Sequence, residues 1–183
     1  MQPEQIGVVV TTYNAPRWLE KVLVGYEQQT FRDFRTIVAD DGSGDDTRAL
    51  IDAFAERGAL TIDHVRHEDL GFRKCTILNK AIARTSCDYL IFTDGDCIPE
   101  PDFVATHRRL ATPGTFLSGG YVKLTMEVSE AIGEQDIRSG TIFDRRWLID
   151  RGQPRTRALW KLSRTPFLER LLNALTPTAA TWN

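Results

Sequence analysis

The sequence predicts an α/β protein: a doubly wound, mostly parallel sheet with helices on both faces, followed by a helical C-terminal segment. Three observations carry this. Ile6-Gly7-Val8-Val9-Val10 and Tyr89-Leu90-Ile91-Phe92-Thr93 are nearly unbroken apolar runs rich in β-branched and aromatic residues, as in strands buried on both faces. Strand-like and helix-like stretches alternate four times at short spacing, which fits parallel strands joined by right-handed crossovers. Polar clusters close three of the strands, at the sheet edge where open α/β folds hold ligands.

The first strand runs into Thr11-Thr12-Tyr13, and Asn14 is expected to cap a helix that tolerates Pro16 in its first turn. Trp18, Leu19, Val22, Leu23 and Tyr26 recur at helical spacing and should face the sheet. Phe34 to Ala39 reads as the second strand, closed by Asp40-Asp41-Gly42-Ser43-Gly44. Asp45 or Asp46 is expected to cap the next helix, with Leu50, Ile51 and Phe54 in one stripe and Gly58 as its stop. Leu60 to Val65 is a weaker, alternating strand, and Lys74 to Arg84 a helix with Ile77, Leu78, Ala81 and Ile82 inward.

After the strand at 89–93, Pro99 and Pro101 lead into a short helix near Asp102, and Phe116 to Thr125 reads as a further strand. Glu127 to Asp150 and Arg157 to Leu175 are expected to be helical but irregular, the second broken near Pro166. The expected organisation is therefore a sheet core over residues 1–125 and a helical, basic segment over 126–183.

Composition narrows the class. The chain has 183 residues, of which 42% are hydrophobic and 26% charged, as in an ordinary globular protein. A net charge of −2 argues against nucleic acid as a partner. Between Arg138 and Arg170 nine basic residues face three acidic ones, so this segment carries +6 and the remainder −8. A basic segment behind an acidic body suits an anionic neighbour, and peripheral contact with a membrane is one expectation. Packing of its apolar stripe against the core is the commoner outcome for such a segment. Cys75, Cys87 and Cys97 are odd in number and form no CxxC, which points to a reducing, cytoplasmic setting rather than disulfides or zinc. Neither a signal peptide nor an apolar run near the ~18 residues of a spanning helix is visible.

The chemistry sits at the strand ends. Two ionised carboxylates about 5 Å apart repel by about 3 kcal/mol at an effective dielectric near 20. Asp94 and Asp96, on either side of Gly95, therefore invite a divalent cation that would bridge a diphosphate. Tyr13 can stack on a base, and Asp41 can accept a hydrogen bond from a base N–H. Arg73 and Lys74, just before a helix, could neutralise the remaining phosphate charge. Each residue alone also fits a plain turn or strand end; their joint occurrence on one rim favours a ligand.

These residues resemble the motifs of family 2 glycosyltransferases. The resemblance rests on Val8-Val9-Val10-Thr11-Thr12-Tyr13-Asn14, Gln29-Thr30-Phe31 and Ile37-Val38-Ala39-Asp40-Asp41-Gly42-Ser43. It continues through Gly71-Phe72-Arg73 with Leu78-Asn79-Lys80-Ala81-Ile82, and through Tyr89 to Asp96. It covers roughly residues 6 to 125 and implies a Rossmann-like sheet of the GT-A type. By resemblance, Thr11 and Tyr13 border the nucleotide, Asp41 reads the base and Arg73 approaches the sugar-diphosphate. Asp96, aided by Asp94, would hold Mn²⁺ or Mg²⁺ as the DxD motif, here in the accepted form Asp-Gly-Asp. The implied reaction is a metal-dependent, inverting transfer from a nucleotide diphosphate sugar donor to a hydroxyl of a saccharide or lipid-linked acceptor. Cell-envelope or exopolysaccharide synthesis is the family-level expectation.

The resemblance also implies a general base in a Glu-Asp motif beyond Asn183, since Ala180-Thr181-Trp182-Asn183 is similar to the stretch leading towards it. A chain cut at its C-terminus is thus expected, and Glu134-Gln135-Asp136 comes too soon after Asp96 to replace that motif. Two alternatives remain at this stage. One is an inactive donor-binding scaffold. The other is a DxD phosphatase, which would place its motif after the first strand and a Thr or Val where Ile98 stands.

Overall fold

In the computed structural model, which describes residues 2–162, four strands form one sheet. They are β1 (Ile6–Thr12), β2 (Arg35–Asp40), β3 (Thr61–Arg66) and β4 (Tyr89–Asp94), in the spatial order β3-β2-β1-β4. All three pairings are parallel. The chain steps outward from β1 to β2 to β3, then returns to lay β4 on the other side of β1. The order reverses between β1 and β4, and sheets of this kind bind ligands in the crevice outside the carboxyl ends of the strands at such a point.

The period-2 alternation of a strand explains why its sequence is apolar throughout. Val8 and Val10 enter one core with Leu19, Val22, Leu23 and Tyr26 of α1 (Pro16–Glu27) and with Ile51 and Phe54 of α2 (Asp45–Arg57). Val9 enters a second core on the opposite face, with Ile37, Ala39, Val65 and with Ile77 and Ala81 of α3 (Lys74–Arg84). Helices thus cover both faces, as expected. Ile82 of α3 is exposed rather than inward. Trp18 is half-buried, with the Lys21 ammonium 5.0 Å from its ring.

The helix starts differ from expectation in an informative way. Asn14 does not cap α1: it adopts φ 46°, and Ala15 takes the cap position. Its side chain instead accepts from Gly44 N at 2.9 Å, while its own N–H donates to Ser43 Oγ at 2.9 Å. A cross-strand tie between the ends of β1 and β2 has replaced a local cap. Gly44 rather than an aspartate caps α2, and Asp45 and Asp46 occupy its first turn, where they complement the helix dipole. Gly58 ends α2 in the left-handed region, at φ 68° with open space where a Cβ would go. Gly58→Ala should therefore lose about 1 kcal/mol through backbone strain alone; a urea melt with an unchanged midpoint would contradict this.

The strand expected over Phe116 to Thr125 does not form. After α4 (Phe103–Leu110) the chain runs through this segment without a ladder, with Phe116 67% and Tyr121 72% exposed. Gly119-Gly120 interrupts it, and side chains take its backbone groups. Gln153 Nε2 donates to Lys123 O at 3.1 Å, Gln153 Oε1 accepts from Thr125 N at 2.9 Å, and Lys161 Nζ donates to Tyr121 O at 3.2 Å.

The helix expected over 127–150 is broken into α5 (Met126–Ala131), α6 (Glu134–Arg138) and α7 (Arg145–Asp150), with a 3₁₀ turn at Thr141–Phe143. The breaks fall at Gly133 and at Gly140, which has φ 73°. Ile132, Ile137 and Ile142 nevertheless join the core of the α1 face.

Of the stretch expected to be helical over 157–175, Arg157–Leu162 is a 3₁₀ segment and residues 163–175 lie outside the described residues. Three basic residues earlier in the basic segment are engaged within the protein: Arg145 lies 4.3 Å from the Trp160 ring, and Arg151 3.6 Å from that of Trp147. Arg138 Nη2 pairs with buried Glu27 at 2.6 Å. Among the described residues no helix is long and apolar enough to cross a membrane.

Candidate functional site at the carboxyl ends of the strands

Parallel pairing sets the register Thr11↔Asp94, so the next-to-last residue of β1 and the last of β4 lie side by side at the carboxyl edge. Thr11 Oγ1 donates to Asp94 Oδ1 at 3.1 Å. The turn beyond β4 lies directly on β1: a Cβ at Gly95 would stand 2.5 Å from the Thr11 carbonyl oxygen. Only glycine permits that approach, and it delivers Asp96 to the same edge. Asp96 is exposed and makes no ion pair among the described residues; its Oδ1 accepts from Cys97 Sγ at 3.5 Å. Partial desolvation and the neighbouring Asp96 charge push the Cys97 thiol up to about 11, so it stays protonated near neutrality.

Asp94 is not bare. Lys74, in the first turn of α3, brings its ammonium against Asp94 Oδ1. That hydrogen bond, more than the opposing effect of burial, holds the Asp94 carboxyl below the usual range.

The second cluster gathers around the end of β2. Asp41 N donates to Thr12 O at 3.0 Å, which folds the Asp-Asp-Gly turn back against β1. Asp41 is buried, and both its oxygens are engaged: Oδ1 with His67 Nε2 at 2.7 Å, Oδ2 with the Arg73 backbone N–H at 2.9 Å. His67 Nδ1 lies 3.5 Å from Lys80 Nζ. Each carboxylate oxygen has a further lone pair, so Asp41 retains acceptor capacity. Asp40, wholly buried beside it, accepts from Gly42 N at 3.2 Å and Ser43 N at 2.7 Å and pairs with His64 Nε2 at 3.0 Å.

Residues 67–73 form a loop closed over this turn. The Tyr13 hydroxyl donates to Asp69 Oδ2 at 2.9 Å, and the same bond raises the phenol above its ordinary value. Asp69 Oδ1 accepts from Gly71 N at 3.1 Å. At Gly42, φ is 102° and a Cβ would lie 2.6 Å from Asp69 Cα, so this glycine admits the loop. Arg73 Nη2 donates to Glu68 O at 2.7 Å, while its buried Nε has no partner among the described residues.

The sequence-predicted residues Thr11, Tyr13, Asp41, Arg73, Asp94 and Asp96 thus all lie on the rim formed by β1, β2, β4 and the loop before α3. Direct contacts link Thr11 to Asp94 and Asp41 to Arg73; Tyr13 reaches the group through Asp69. Sequence reasoning missed His64, His67 and Asp69, and gave Lys74 no carboxylate partner. The signal was the end of the third strand, which in a parallel sheet must share the rim with Asp40 and Asp41.

The Gln29-Thr30 motif also acquires a reason. Gln29 Nε2 donates to Glu100 O at 2.7 Å, its Oε1 accepts from Val104 N at 2.9 Å, and Thr30 N donates to Pro101 O at 2.7 Å. These bonds clamp the segment that follows Asp96. Glu134 and Asp136 serve structure instead: Glu134 pairs with Arg138 at 2.7 Å, and Asp136 Oδ2 accepts from Gly133 N at 2.9 Å.

The family model described as Glycosyl transferase family 2 matches residues 7–117, more than half of the chain and all of the four strands but Ile6. The chain belongs to glycosyltransferase family 2. Among family relatives, a validoxylamine A glucosyltransferase of Streptomyces hygroscopicus subsp. jinggangensis is 35% identical over 101 residues, 54% of this chain and 24% of that protein. The chondroitin synthase of Escherichia coli is 30% identical over 106 residues, 57% of this chain and 15% of the relative. The chain spans less than a quarter of the length of these two relatives.

Among solved structures, the mannosyltransferase PcManGT from Pyrobaculum calidifontis, in complex with GDP-Man and Mn²⁺, has a TM-score of 0.54 at 28% identity. That match covers 62% of this chain and 34% of PcManGT. S. aureus TarS matches at TM-score 0.51 and 22% identity over 56% of this chain and 18% of TarS, a likeness in fold. The four-stranded parallel sheet with its flanking helices is that of GT-A glycosyltransferases.

Proposed function

We propose that this family 2 chain binds a nucleotide diphosphate sugar at the β1–β4 crevice and directs transfer of the sugar to an acceptor hydroxyl, with inversion and with a divalent cation. The observation that carries the proposal is the in-register meeting of Thr11 with Asp94, with Asp96 one glycine further on. Relatives named chondroitin synthase and validoxylamine A glucosyltransferase support sugar transfer. The acceptor in this reading is a saccharide, as the name chondroitin synthase suits for that relative, or a lipid-linked one, and the setting is cell-envelope or exopolysaccharide synthesis.

Asp94 and Asp96 offer hard oxygen donors suited to Mn²⁺ or Mg²⁺. No group of three His, Cys, Asp or Glu side chains that could hold a metal occurs among the described residues. In this reading the two carboxylates are the chain's share of the shell, and substrate phosphates and water complete it. When bound, the cation would supply Lewis-acid stabilisation of the charge building on the departing diphosphate. The chain's own contributions are positional: Thr11 fixes Asp94, Gly95 sets Asp96 on the rim, Tyr13 offers a ring face to the nucleoside, and Asp41 an acceptor for a base N–H. Arg73 brings its guanidinium to the sugar-diphosphate side. The acceptor hydroxyl must lose a proton as it attacks the anomeric carbon. With Glu134 and Asp136 committed to α6, we assign that base to none of the described residues.

Calorimetry with UDP-, GDP- and dTDP-sugars, with and without Mn²⁺, tests the proposal. Mn²⁺-dependent binding of one of them is expected; no nucleotide binding, with hydrolysis of phosphate esters, would refute it. Asp41→Ala should weaken nucleoside binding about tenfold, the scale of one buried hydrogen bond to a charged group, whether or not Mn²⁺ is present. An unchanged affinity would remove base reading from Asp41.

A further inference from the structure

We propose that Lys74 is a resident counter-cation of Asp94 that keeps a divalent ion from settling on the Asp94–Asp96 pair until a nucleoside diphosphate is also present. The inference rests on the cation-and-diphosphate reading of the crevice. Asp94 Oδ1 receives both the Lys74 ammonium and the Thr11 hydroxyl, whereas Asp96 makes no ion pair among the described residues. The pair of carboxylates with its lysine carries one net negative charge instead of two. An incoming dication meets half the attraction and a nearby positive charge.

A second, independent feature explains why the ammonium sits there. Lys74 opens α3, an 11-residue helix with no acidic residue in its first turn. A cation at the positive end of a helix dipole is unfavourably placed and needs an anion. In the ligand-free chain Asp94 is that anion. A diphosphate bound in the crevice would bring more negative charge to both the lysine and the helix end. The existing contact is also easy to leave, since the side chains of Lys74 and Asp94 are 37% and 57% exposed and exposed pairs are weak. A flexible four-carbon stem lets the ammonium move from one partner to the other. Cation and nucleotide then bind as a unit, each poorly without the other.

Mn²⁺ titrations of the full chain, followed through the electron paramagnetic resonance signal of the free ion, test this with wild type, Lys74→Met and Lys74→Arg. Without nucleotide, Lys74→Met should bind Mn²⁺ about tenfold more tightly than wild type, while Lys74→Arg, which keeps the charge, stays near wild type. The gain in Mn²⁺ affinity that UDP or GDP gives wild type should shrink by a similar factor in Lys74→Met. Equal nucleotide-free affinities for wild type and Lys74→Met, with the nucleotide effect intact, would overturn the role of Lys74 and leave the cation reading standing. Mn²⁺ binding by none of the proteins, even with UDP or GDP, would overturn both.

Discussion

Asp96→Ala is expected to lower the Mn²⁺-dependent component of nucleotide-sugar affinity by at least about 100-fold, since even supporting residues around metal sites cost 10–100-fold when removed. Among the described residues Asp96 is the carboxylate of the pair with no competing cation, so its loss leaves only Asp94, already shared by Lys74 and Thr11. The fold should be untouched. Asp96 is exposed and lies beyond β4, and the segment after it is held by Gln29 and Thr30. Binding measured without metal should change little, because Tyr13 and Asp41 lie across the rim. Calorimetry with and without Mn²⁺ separates the two components. Retention of the full Mn²⁺ effect in a folded Asp96→Ala protein would move the cation elsewhere and remove the main support for a DxD role.

What was legible in advance follows from which interactions are local. Val8-Val9-Val10 is buried on both faces and reads as a strand in any context, and Lys74 to Arg84 emerges with the bounds its apolar spacing gives. Phe116 to Thr125 misleads because a strand needs a neighbouring strand to form its ladder, and among the described residues none lies beside it. Its partners are Gln153 and Lys161, some 30 and 40 residues away, and no local pattern announces them. Asn14 misleads for the same reason, its capping oxygen being drawn to Gly44 on the neighbouring strand end.

At the site, Thr11 and Asp94 were visible because parallel strands of similar length place their ends on one rim. The loop from His67 to Arg73 was not. Its closure depends on three contacts that cross the sheet edge: Tyr13 with Asp69, Asp41 with His67, and Asp41 with the Arg73 amide. Each joins residues at least 26 positions apart. Lys74 could be foreseen as a phosphate partner from its place before a helix, but its pairing with Asp94 depends on where α3 lies against the sheet.

Asp40, a residue with no proposed ligand, is a position where substitution should destabilise the fold strongly. Asp40→Ala should lower the unfolding free energy by about 3 kcal/mol at neutral pH, since it strands the buried Ser43 N–H and removes the partner of His64. The effect should depend on pH in a definite direction. Burial raises the Asp40 carboxyl, but hydrogen bonds from His64 and Ser43 outweigh it and bring the group from 3.8 down to about 2. The folded chain therefore holds the proton less tightly than the unfolded one. Its stabilising contribution is complete above the unfolded value and drains away as pH falls from about 4 towards 2, by about 2 kcal/mol in all. Asp40→Asn cannot titrate and should show a shallower loss over that window than wild type. Urea melts at pH 7 and at pH 2.5 read the difference directly. A constant gap between wild type and Asp40→Asn at both values would mean that the carboxylate's charge contributes nothing, and that the turn at the end of β2 is held by packing alone.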